Sequence, residues 1–523
     1  MGIPSYFSHF VRTHRRIIKQ ISKNTKPINN LYLDCNSFIY DGVNSDRANT
    51  NETILIKYVC DKLIYYINLL KPNKNVFIAF DGVAPVAKLN QQRKRRYLSW
   101  FQLNTIKNKF NSKEETWNTS AITPGTLFMS KLSDAIKMRF TNPKEFGLDK
   151  IIISCSDEVG EGEHKIFEYI RDNKKYHEKT TTVIYGLDAD LIMLTLNHLH
   201  ISNSLYLFRE TPEFIKSIDN TLNPNELYLL DIPEFGKSII NEFTPVGVAN
   251  AISNVNNKIN DYIFLFFLLG NDFLPHFPSL NIRTNGIDTL LNAYKHILNS
   301  KNLYLTNEGN IIWKSLRLLI EYLSLGELTY IKQEYVARDK LKKRYNAKET
   351  PQQAFETKLI NLPSARREVE HYINPNELGW EGRYYNSLFD LRIDDDRRKE
   401  ICTNYLEGLE WTFKYYRSGC VDWRWTYNYD YPPLLVDLIK YVPYFDTCFI
   451  KTRLPEPVSP IEQLSYVLPK QSLYLIPGGI GEKLLQEHPE WYDDNCEFQW
   501  AFCKYFWEAH VKLPTFEKGW AKI

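Results

Sequence analysis

The first half of the chain alternates short apolar runs with longer stretches in which apolar and polar residues follow a helical spacing. Between residues 52 and 71 the apolar positions recur every three to four residues, which predicts a helix with one buried face. Six apolar runs predict strands, and they are Leu31–Asp34, Val76–Asp81, Lys150–Cys155, Val183–Asp188, Ser204–Arg209 and Glu226–Asp231. Strands that alternate with helices predict an α/β fold with a mostly parallel, doubly wound sheet.

Four aspartates that we take as candidate site residues stand at or just after the ends of predicted strands, namely Asp34, Asp81 and the pair Asp188 and Asp190. In doubly wound sheets the site lies outside the C-terminal ends of the strands, where these side chains fall. Alternation along a strand predicts that Asp188 and Asp190 point to the same side. Carboxylates held together need a cation, a shared proton or solvent, and oxygen-only ligands suit Mg²⁺ or Mn²⁺. An exposed polar loop explains one Asp-x-Asp well, but it explains four strand-end aspartates poorly.

Three more acidic residues occupy comparable positions. Glu161 and Glu163 stand in a glycine-rich turn before a helix predicted at Lys165–Arg171. They either complement the positive end of the helix dipole or join the cation site. Asp272 follows an apolar run and a glycine, which again is the position of a site carboxylate.

A basic face is predicted on a helix that begins near Pro85, four residues after Asp81. Lys88, Gln92, Arg95 and Arg96 are spaced so that they fall within about 100° of one helix face. Two guanidinium groups, an ammonium group and an amide on one face suit a terminal phosphate. The alternative is a solvated surface helix, and the closeness of this helix to the strand-end acids argues against it.

The segment Cys420–Pro433 is dense in aromatic residues, and in it Trp423 and Trp425 alternate with charged residues. Core packing is the usual role of tryptophan, and base stacking is the alternative that the surrounding tyrosines and arginine keep open. The stretch Lys340–Pro351 is predicted as a charged connection, and ordered structure is expected again from about residue 381.

Composition limits the class of protein. Hydrophobic residues make up 43% and charged residues 24% of 523 residues, which describes a soluble globular chain large enough for several domains. The net charge is only +3, so any nucleic-acid site depends on local clusters of basic residues. Eight scattered cysteines without a Cys-x-x-Cys pair predict free thiols, a reducing compartment and no zinc site. We expect neither a signal peptide nor a membrane span.

These motifs, in this order and spacing, resemble the Xrn family of 5′→3′ exoribonucleases over nearly the whole chain. The matching stretches are Met1–Pro4, Leu31–Asn36, Asp81–Pro85, Lys88–Arg96, Ile122–Thr126, Gly160–Lys165, Tyr185–Leu191, Gly270–Pro275, Leu406–Trp411 and Asp422–Leu438. The resemblance implies a PIN/FEN-like nuclease core with a C-terminal helical and aromatic region packed against it. It covers the nuclease core of the family without the long C-terminal extension of the cytoplasmic enzymes.

The resemblance also implies roles for particular residues. It places the acidic metal ligands of the family on Asp34, Asp81, Glu161, Glu163, Asp188, Asp190 and Asp272, for two Mg²⁺ ions with Mn²⁺ as a substitute. It places the pocket for a 5′-monophosphate on Lys88, Gln92, Arg95 and Arg96. The position of a stacking histidine in the family carries Tyr40 here, whose expected stacking partner is Trp423 or Trp425. Tyrosine can stack, but it does not titrate near neutral pH.

We therefore expect a processive exonuclease that degrades single-stranded RNA with a 5′-monophosphate to nucleoside 5′-monophosphates during RNA decay. We expect a monomer in the cytoplasm, with the nucleus as the alternative compartment, and no membrane partner. The expected domains are a catalytic domain over 1–335, a charged linker over 336–380 and a second helical region over 381–523 that completes the active site.

Two other functions remain open at this stage. A structure-specific flap-type 5′ nuclease would share the strand-end acids and the pair of cations, but a pocket for a terminal phosphate favours the exonuclease. A catalytically silent RNA-binding scaffold would be marked by the loss of a site carboxylate, and none of the seven is missing.

Overall fold

A computed structural model describes residues 6–21, 27–45, 50–111, 117–209, 222–223, 226–244, 255–341, 350–451 and 456–516. The matching stretch at Met1–Pro4 lies outside these residues. All eight cysteines lie within them, and each is a free thiol. Among the described helices, none has the length and apolar character needed to cross a membrane.

A seven-stranded sheet forms the centre of the first half of the chain. Its strands are β1 (Ile18–Gln20), β2 (Asn30–Asp34), β3 (Asn75–Ala79), β4 (Lys150–Ser154), β5 (Thr182–Tyr185), β6 (Leu205–Phe208) and β7 (Tyr228–Asp231). Their order in space is β1-β7-β6-β5-β2-β3-β4. The five strands from β6 to β4 run parallel, whereas β7 is antiparallel to both of its neighbours. The predicted fold class, a mostly parallel sheet flanked by helices, is confirmed.

The helices of the described chain cover this sheet and build the C-terminal region. They are Tyr6–Thr13, Asn36–Ser45, Glu52–Leu70, Val86–Phe110, Leu127–Arg139, Gly162–Asp172, Lys174–His177, Asp190–Asn197, Ile232–Glu242, Val255–Phe267, Gly286–Ile297, Trp313–Leu341, Pro351–Ile360, Leu362–Ala365, Glu368–Ile373, Trp380–Phe389, Asp395–Ser418, Leu435–Tyr441, Pro460–Val467 and Ile480–Glu487. Two short antiparallel pairs join β8 (Thr306–Asn307) to β9 (Asn310–Ile311) and β10 (Glu497–Gln499) to β11 (His510–Lys512). The helix predicted at 52–71 is therefore present, and Asn51 caps it by accepting a hydrogen bond from Ile54 N at 3.0 Å.

The central strands are apolar on both faces, because helices cover the sheet from both sides. Along β2, Leu31 and Leu33 enter one apolar core, and Tyr32 between them enters the other. The neighbouring strand β3 repeats the pattern, with Ile78 on the first side and Phe77 on the second. Burial on both faces explains why these strands read as continuous apolar runs rather than as alternating ones.

Asp188 and Asp190 do not share one face of a strand, so that prediction is wrong. Strand β5 ends at Tyr185, and Asp190 is the first residue of the next helix. The chain therefore leaves the sheet before either aspartate, and the strand alternation no longer applies to them. As a result their environments differ, since Asp190 is buried and Asp188 is exposed.

The range 336–380, predicted as a charged linker, is largely helical where the structure describes it. The helix Trp313–Leu341 runs across its start, and three further helices lie between 351 and 373. Residues 342–349 are outside the described part. A buried ion pair stabilises this arrangement, because Arg338 donates to both carboxylate oxygens of Glu370 at 2.9 and 2.7 Å. Two charged residues of the range 336–380, Arg338 and Glu370, are thus packed inside the C-terminal region.

Candidate active site

The seven acidic residues predicted as a site lie at one edge of the sheet. They are Asp34, Asp81, Glu161, Glu163, Asp188, Asp190 and Asp272. Asp34 ends β2, Asp81 closely follows β3, and the two glutamates stand at the start of the helix after β4. Asp188 lies between β5 and the next helix, and Asp190 is the first residue of that helix. Asp272 follows the helix Val255–Phe267. Their mutual electrostatic interactions show that they form one cluster, in which each member lies near at least one other.

Backbone and amide groups fix the orientation of Asp81. Gly162 N donates to Asp81 Oδ1 at 2.7 Å, and Asn36 Nδ2 donates to Asp81 Oδ2 at 2.5 Å. A Cβ atom at Gly162 would lie 2.7 Å from Asp34 Oδ1. Glycine at this position therefore lets the positive end of a helix approach two carboxylates at once.

Lys88 places an ammonium group inside the acidic cluster. Its Nζ lies 2.6 Å from Glu161 Oε1 and 2.7 Å from Asp272 Oδ2. Burial alone would lower the pKa of Lys88, but Asp272 and Glu161 outweigh burial and raise this pKa well above its usual value. Burial would likewise raise the pKa of Asp272, but Lys88 lowers it below its usual range. Both groups are therefore charged at neutral pH.

Other carboxylates of the cluster have oxygens without a partner. Asp34 Oδ1, Glu163 Oε2 and Asp190 Oδ1 are buried and accept no hydrogen bond. Burial raises the pKa of Asp34 well above its usual range, and the charge of Asp81 adds to the shift. Burial and then Asp272 raise the pKa of Asp190 to about 7. Buried carboxylates in this state gain from a nearby cation, because positive charge favours their ionised form.

The donor chemistry of the cluster fits a hard divalent cation. All of its acidic ligands are carboxylates, which Mg²⁺ and Mn²⁺ prefer over nitrogen and sulfur. Within the described part of the chain, no three Asp, Glu, His or Cys side chains already converge on a single metal position. The ammonium group of Lys88 instead supplies the positive charge between Glu161 and Asp272. The unpartnered oxygens are the observation that favours a cation here.

A column of stacked rings connects the C-terminal region to this cluster. Trp425 stacks on Trp411 with ring centroids 5.1 Å apart, and Trp411 stacks on Tyr415 at 4.8 Å. Tyr415 in turn packs against His164 at 3.8 Å. The hydroxyl of Tyr415 donates to Glu161 Oε2 at 2.6 Å. The predicted second region therefore supplies a direct contact to the acidic cluster.

The four residues predicted to bind a phosphate lie on one helix, Val86–Phe110, but they have different surroundings. Lys88 points into the acidic cluster, as described above. Gln92 has a buried Oε1 without a partner. Arg96 is tied to two backbone carbonyls, those of Ser120 and Ile122, both at 3.4 Å. Arg95 is exposed and forms no hydrogen bond or ion pair with the described residues.

Tyr40 lies beside the basic helix. Burial lowers the pKa of Arg96 to about 10, and an electrostatic interaction with Tyr40 opposes that shift, so the two side chains lie within range of such an interaction. Tyr40 is 38% exposed, which leaves part of the residue accessible to a ligand. The structure thus places the predicted stacking residue next to the predicted phosphate residues.

The two candidate tryptophans occupy different environments. Trp425 is 9% exposed, belongs to the larger apolar core and lies within contact of Gly408. Trp423 is only partly buried, and its backbone carbonyl accepts a hydrogen bond from Val86 N at 2.9 Å. Trp423 is therefore located at the start of the basic helix, whereas Trp425 is part of the ring column.

Several residues that support the cluster were not identified from the sequence. Tyr415 is one, although its spacing of four from Trp411 on one helix could have indicated a shared face. Lys165 is another, because its buried Nζ donates to Phe80 O at 2.8 Å and to Cys155 O at 2.7 Å. These two bonds join the ends of β3 and β4. Burial lowers the pKa of Lys165 to about 8, and Asp81 opposes that shift.

Comparisons with known proteins show which proteins this chain is similar to. The profile described as "XRN 5'-3' exonuclease N-terminus" matches residues 1–211, and the profile described as "Xrn1 helical domain" matches 252–377 and 362–519. The 5'-3' exoribonuclease 2 homolog of Drosophila melanogaster is 27% identical over 98% of this chain and 69% of its own length. The 5'-3' exoribonuclease 1 of Homo sapiens is 28% identical over 99% of this chain, and that of Saccharomyces cerevisiae is 26% identical over 91%.

This chain spans 34% of the human relative and 40% of the yeast one, so those proteins are much longer. Among solved structures, the catalytic core of Rad2 in complex with DNA substrate aligns with a TM-score of 0.32 and 13% identity. That alignment covers 80% of this chain and 95% of the Rad2 chain.

Proposed function

The chain belongs to the Xrn family of 5'-3' exonucleases, and from this premise we propose that it is a processive 5′→3′ exoribonuclease acting in RNA decay. Its substrate is single-stranded RNA with a 5′-monophosphate, and its products are nucleoside 5′-monophosphates. The observation that carries the proposal is the position of the basic helix, whose Lys88 reaches into the acidic cluster while Arg95 and Arg96 follow two turns later. A bound terminal phosphate would therefore lie within a short distance of the acids.

The acidic cluster is proposed to hold two Mg²⁺ ions, with Mn²⁺ as a substitute, through Asp34, Asp81, Glu161, Glu163, Asp188, Asp190 and Asp272. Such ions activate water and stabilise charge on the attacking and leaving oxygens of a phosphodiester. The support for this assignment is the set of buried oxygens without partners together with the raised pKa values of Asp34 and Asp190. Tyr415 fixes one oxygen of Glu161, and Asn36 and Gly162 fix Asp81.

The 5′ end of the RNA is proposed to lie on the helix Val86–Phe110. Arg95 forms no hydrogen bond or ion pair with the described residues, and the hydrogen bonds that Arg96 donates to two backbone carbonyls are long. Both guanidinium groups can therefore bind an anion with little loss of existing hydrogen bonds. Tyr40 beside Arg96 offers a ring face for the first base.

We expect RNA with a 5′-monophosphate to be degraded at least ~10-fold faster than RNA with a 5′-hydroxyl, because each charge-assisted hydrogen bond lost costs on the order of 1.5–3 kcal/mol. A cap or triphosphate is disfavoured as well if the pocket closes around one phosphate. Replacing Arg95 and Arg96 together by alanine should reduce the preference more than it slows attack on 5′-hydroxyl RNA. The measurement is the initial rate on end-labelled RNAs that differ only at the 5′ end, with and without Mg²⁺.

A matched control is available on the same helix. Lys109→Ala removes an exposed positive charge about 20 Å farther along the helix axis than Arg95, so it should leave the end preference unchanged. Equal wild-type rates on both RNA ends, or an unchanged preference in the double variant, would show that this helix face is ordinary solvated surface.

Trp423→Ala and Trp425→Ala are expected to have different effects. Trp425→Ala should lower stability by about 3–5 kcal/mol, because it opens a space beneath Trp411 and Gly408 in the core. Trp423→Ala should shorten the tract degraded per binding event on long RNA, because one stacked base is worth about 1–3 kcal/mol. Thermal denaturation and single-encounter degradation assays separate the two. If both variants keep wild-type processivity, the aromatic segment serves packing alone.

The two alternatives predict different assay results. A flap-type endonuclease would cut a 5′-blocked flap substrate internally and release a fragment rather than mononucleotides. A silent scaffold would bind RNA and release nothing with any metal ion. The seven carboxylates all stand at the same sheet edge, which favours a catalytic protein over the scaffold.

A further inference from the structure

A cavity of about 460 Å³ opens beside the acidic cluster and has no role in the function proposed above. It lies against a second face of the helix Val86–Phe110, and its wall includes Asn90, Gln91 and Lys94 from that helix. At about 100° per residue Asn90 and Lys94 face away from Lys88, Gln92 and Arg96, whereas Gln91 lies between the two faces, about 60° from Lys88. Arg95 and Asp272 also line the cavity, so it borders both the phosphate residues and the acids.

The cavity has an aromatic platform on its far wall. Trp507 is 43% exposed, and its indole stacks on Tyr505 with centroids 4.3 Å apart. The residues on either side of Trp507 are fixed, because Phe506 is buried and Glu508 accepts hydrogen bonds from Arg283 and from Lys504 N. A large ring that is held in place and still exposed suits stacking against a planar ligand, since little side-chain entropy is lost on binding.

The charges around the cavity favour an anion at one end only. Lys94 is paired with Asp430, and Arg283 is paired with Glu508 at 2.5 Å. Of the lysine and arginine residues that line the cavity, only Arg95 forms no hydrogen bond or ion pair with the described residues. A ligand that joins a planar ring to a single phosphate would therefore meet Trp507 with the ring and Arg95 with the phosphate.

We propose that this cavity binds the nucleoside 5′-monophosphate released by cleavage, before it leaves the protein. The proposal rests on the proposed function for the identity of the ligand. Arg95 would contact the 5′ phosphate both before and after cleavage, because it stands between the phosphate face of the helix and the cavity. The volume of the cavity lies within the range of about 300–1,000 Å³ that is typical of small-molecule sites. Gln91 and Asn271 also line the cavity, and each has a buried polar atom, Oε1 and Nδ2 respectively, without a hydrogen-bond partner in the protein.

The test measures binding of adenosine 5′-monophosphate to the full chain by equilibrium dialysis in EDTA, so that neither metal nor RNA cleavage is needed. The wild-type protein should bind this nucleotide more tightly than adenosine or inorganic phosphate. Trp507→Ala should weaken nucleotide binding by at least ~5-fold and leave phosphate binding unchanged, since a stacked base contributes at this level. Trp507→Phe should retain most of the affinity. Phe445→Ala, which removes a ring that is 74% exposed and not among those lining the cavity, is the matched control.

A second measurement uses RNA degradation. Added nucleotide should inhibit the wild-type protein, and half-inhibition of Trp507→Ala should require at least ~5-fold more nucleotide. Equal nucleotide affinity in the wild type and in Trp507→Ala, or equal affinity for adenosine and its 5′-monophosphate, would overturn the proposal. Dialysis measures nucleotide binding to the cavity even if the protein does not degrade RNA. A protein that fails to degrade RNA can therefore be distinguished from one whose cavity fails to bind the nucleotide.

Discussion

Asp190→Ala should reduce the rate of RNA cleavage at least ~100-fold while leaving the protein folded and able to bind RNA. Asp190 is buried, and one of its oxygens has no hydrogen-bond partner. Burial and the charge of Asp272 raise its pKa to about 7, so ionised Asp190 is disfavoured in the folded chain without a cation. Removing this carboxylate takes away a proposed metal ligand and also relieves like-charge repulsion. We therefore expect a large loss of activity with little loss of stability.

The measurement is the single-turnover rate on 5′-phosphorylated RNA at saturating Mg²⁺, together with thermal denaturation and RNA binding in EDTA. Asp157→Ala is the matched control, because Asp157 likewise follows a strand of the sheet, β4, but its carboxylate pairs with Lys137 at 2.6 Å. That control should stay within about 2-fold of the wild-type rate, since exposed ion pairs contribute little. Near-normal turnover by a folded Asp190→Ala protein would show that Asp190 is not part of the catalytic site.

Glu370→Ala should lower the free energy of unfolding by about 3–5 kcal/mol, which is the second large effect that we expect. Glu370 is 1% exposed and accepts hydrogen bonds from Arg338, from Arg367 at 2.6 Å and from Phe502 N at 2.8 Å. Removing its carboxylate leaves the buried guanidinium group of Arg338 without its paired carboxylate. It also takes away one of the two carboxylates that pair with Arg367, and Asp339 at 2.5 Å remains as the other. The bond to Phe502 also joins the helix Glu368–Ile373 to the segment that carries Trp507.

Chemical denaturation of the purified protein measures this effect. Glu377→Ala is the control, because Glu377 lies in the same segment, is exposed and accepts a hydrogen bond from Asn374 at 2.8 Å. Its removal should change stability by no more than about 0.5 kcal/mol. A Glu370→Ala protein as stable as the wild type would show that the buried guanidinium groups of Arg338 and Arg367 do not depend on Glu370 for their stability in the fold.

Much of the fold was predictable from local sequence. The strands β2 to β7 were recognisable because each is a short apolar run, and carboxylates at or after the ends of some of them indicated a candidate site at one edge of the sheet. The basic helix was recognisable because Lys88, Gln92, Arg95 and Arg96 share a helical spacing. These features depend on the spacing of apolar and basic residues and on the order of the elements along the chain, and both can be read from the sequence.

Other features depended on where separate segments meet. Asp188 and Asp190 do not share a strand face, because β5 ends at Tyr185 and the next helix begins at Asp190. Lys88 was assigned to a phosphate, yet its ammonium group lies between Glu161 and Asp272, from two distant parts of the chain. Helix spacing predicts the face that a side chain occupies, but not which charges the fold brings to that face.

The sequence by itself determined the α/β class, the order of the strands along the chain and the residue types at the site. Only the tertiary structure decided that Trp425 belongs to the core while Trp423 stands at the start of the basic helix. Only it brought Tyr415 to Glu161 and Trp507 to the cavity shared with Arg95. The physical reason is that the sequence around an aromatic ring or a buried charge does not indicate which distant residues it contacts in the fold. Their roles depend on contacts across more than 200 residues, as between Glu161 and Tyr415.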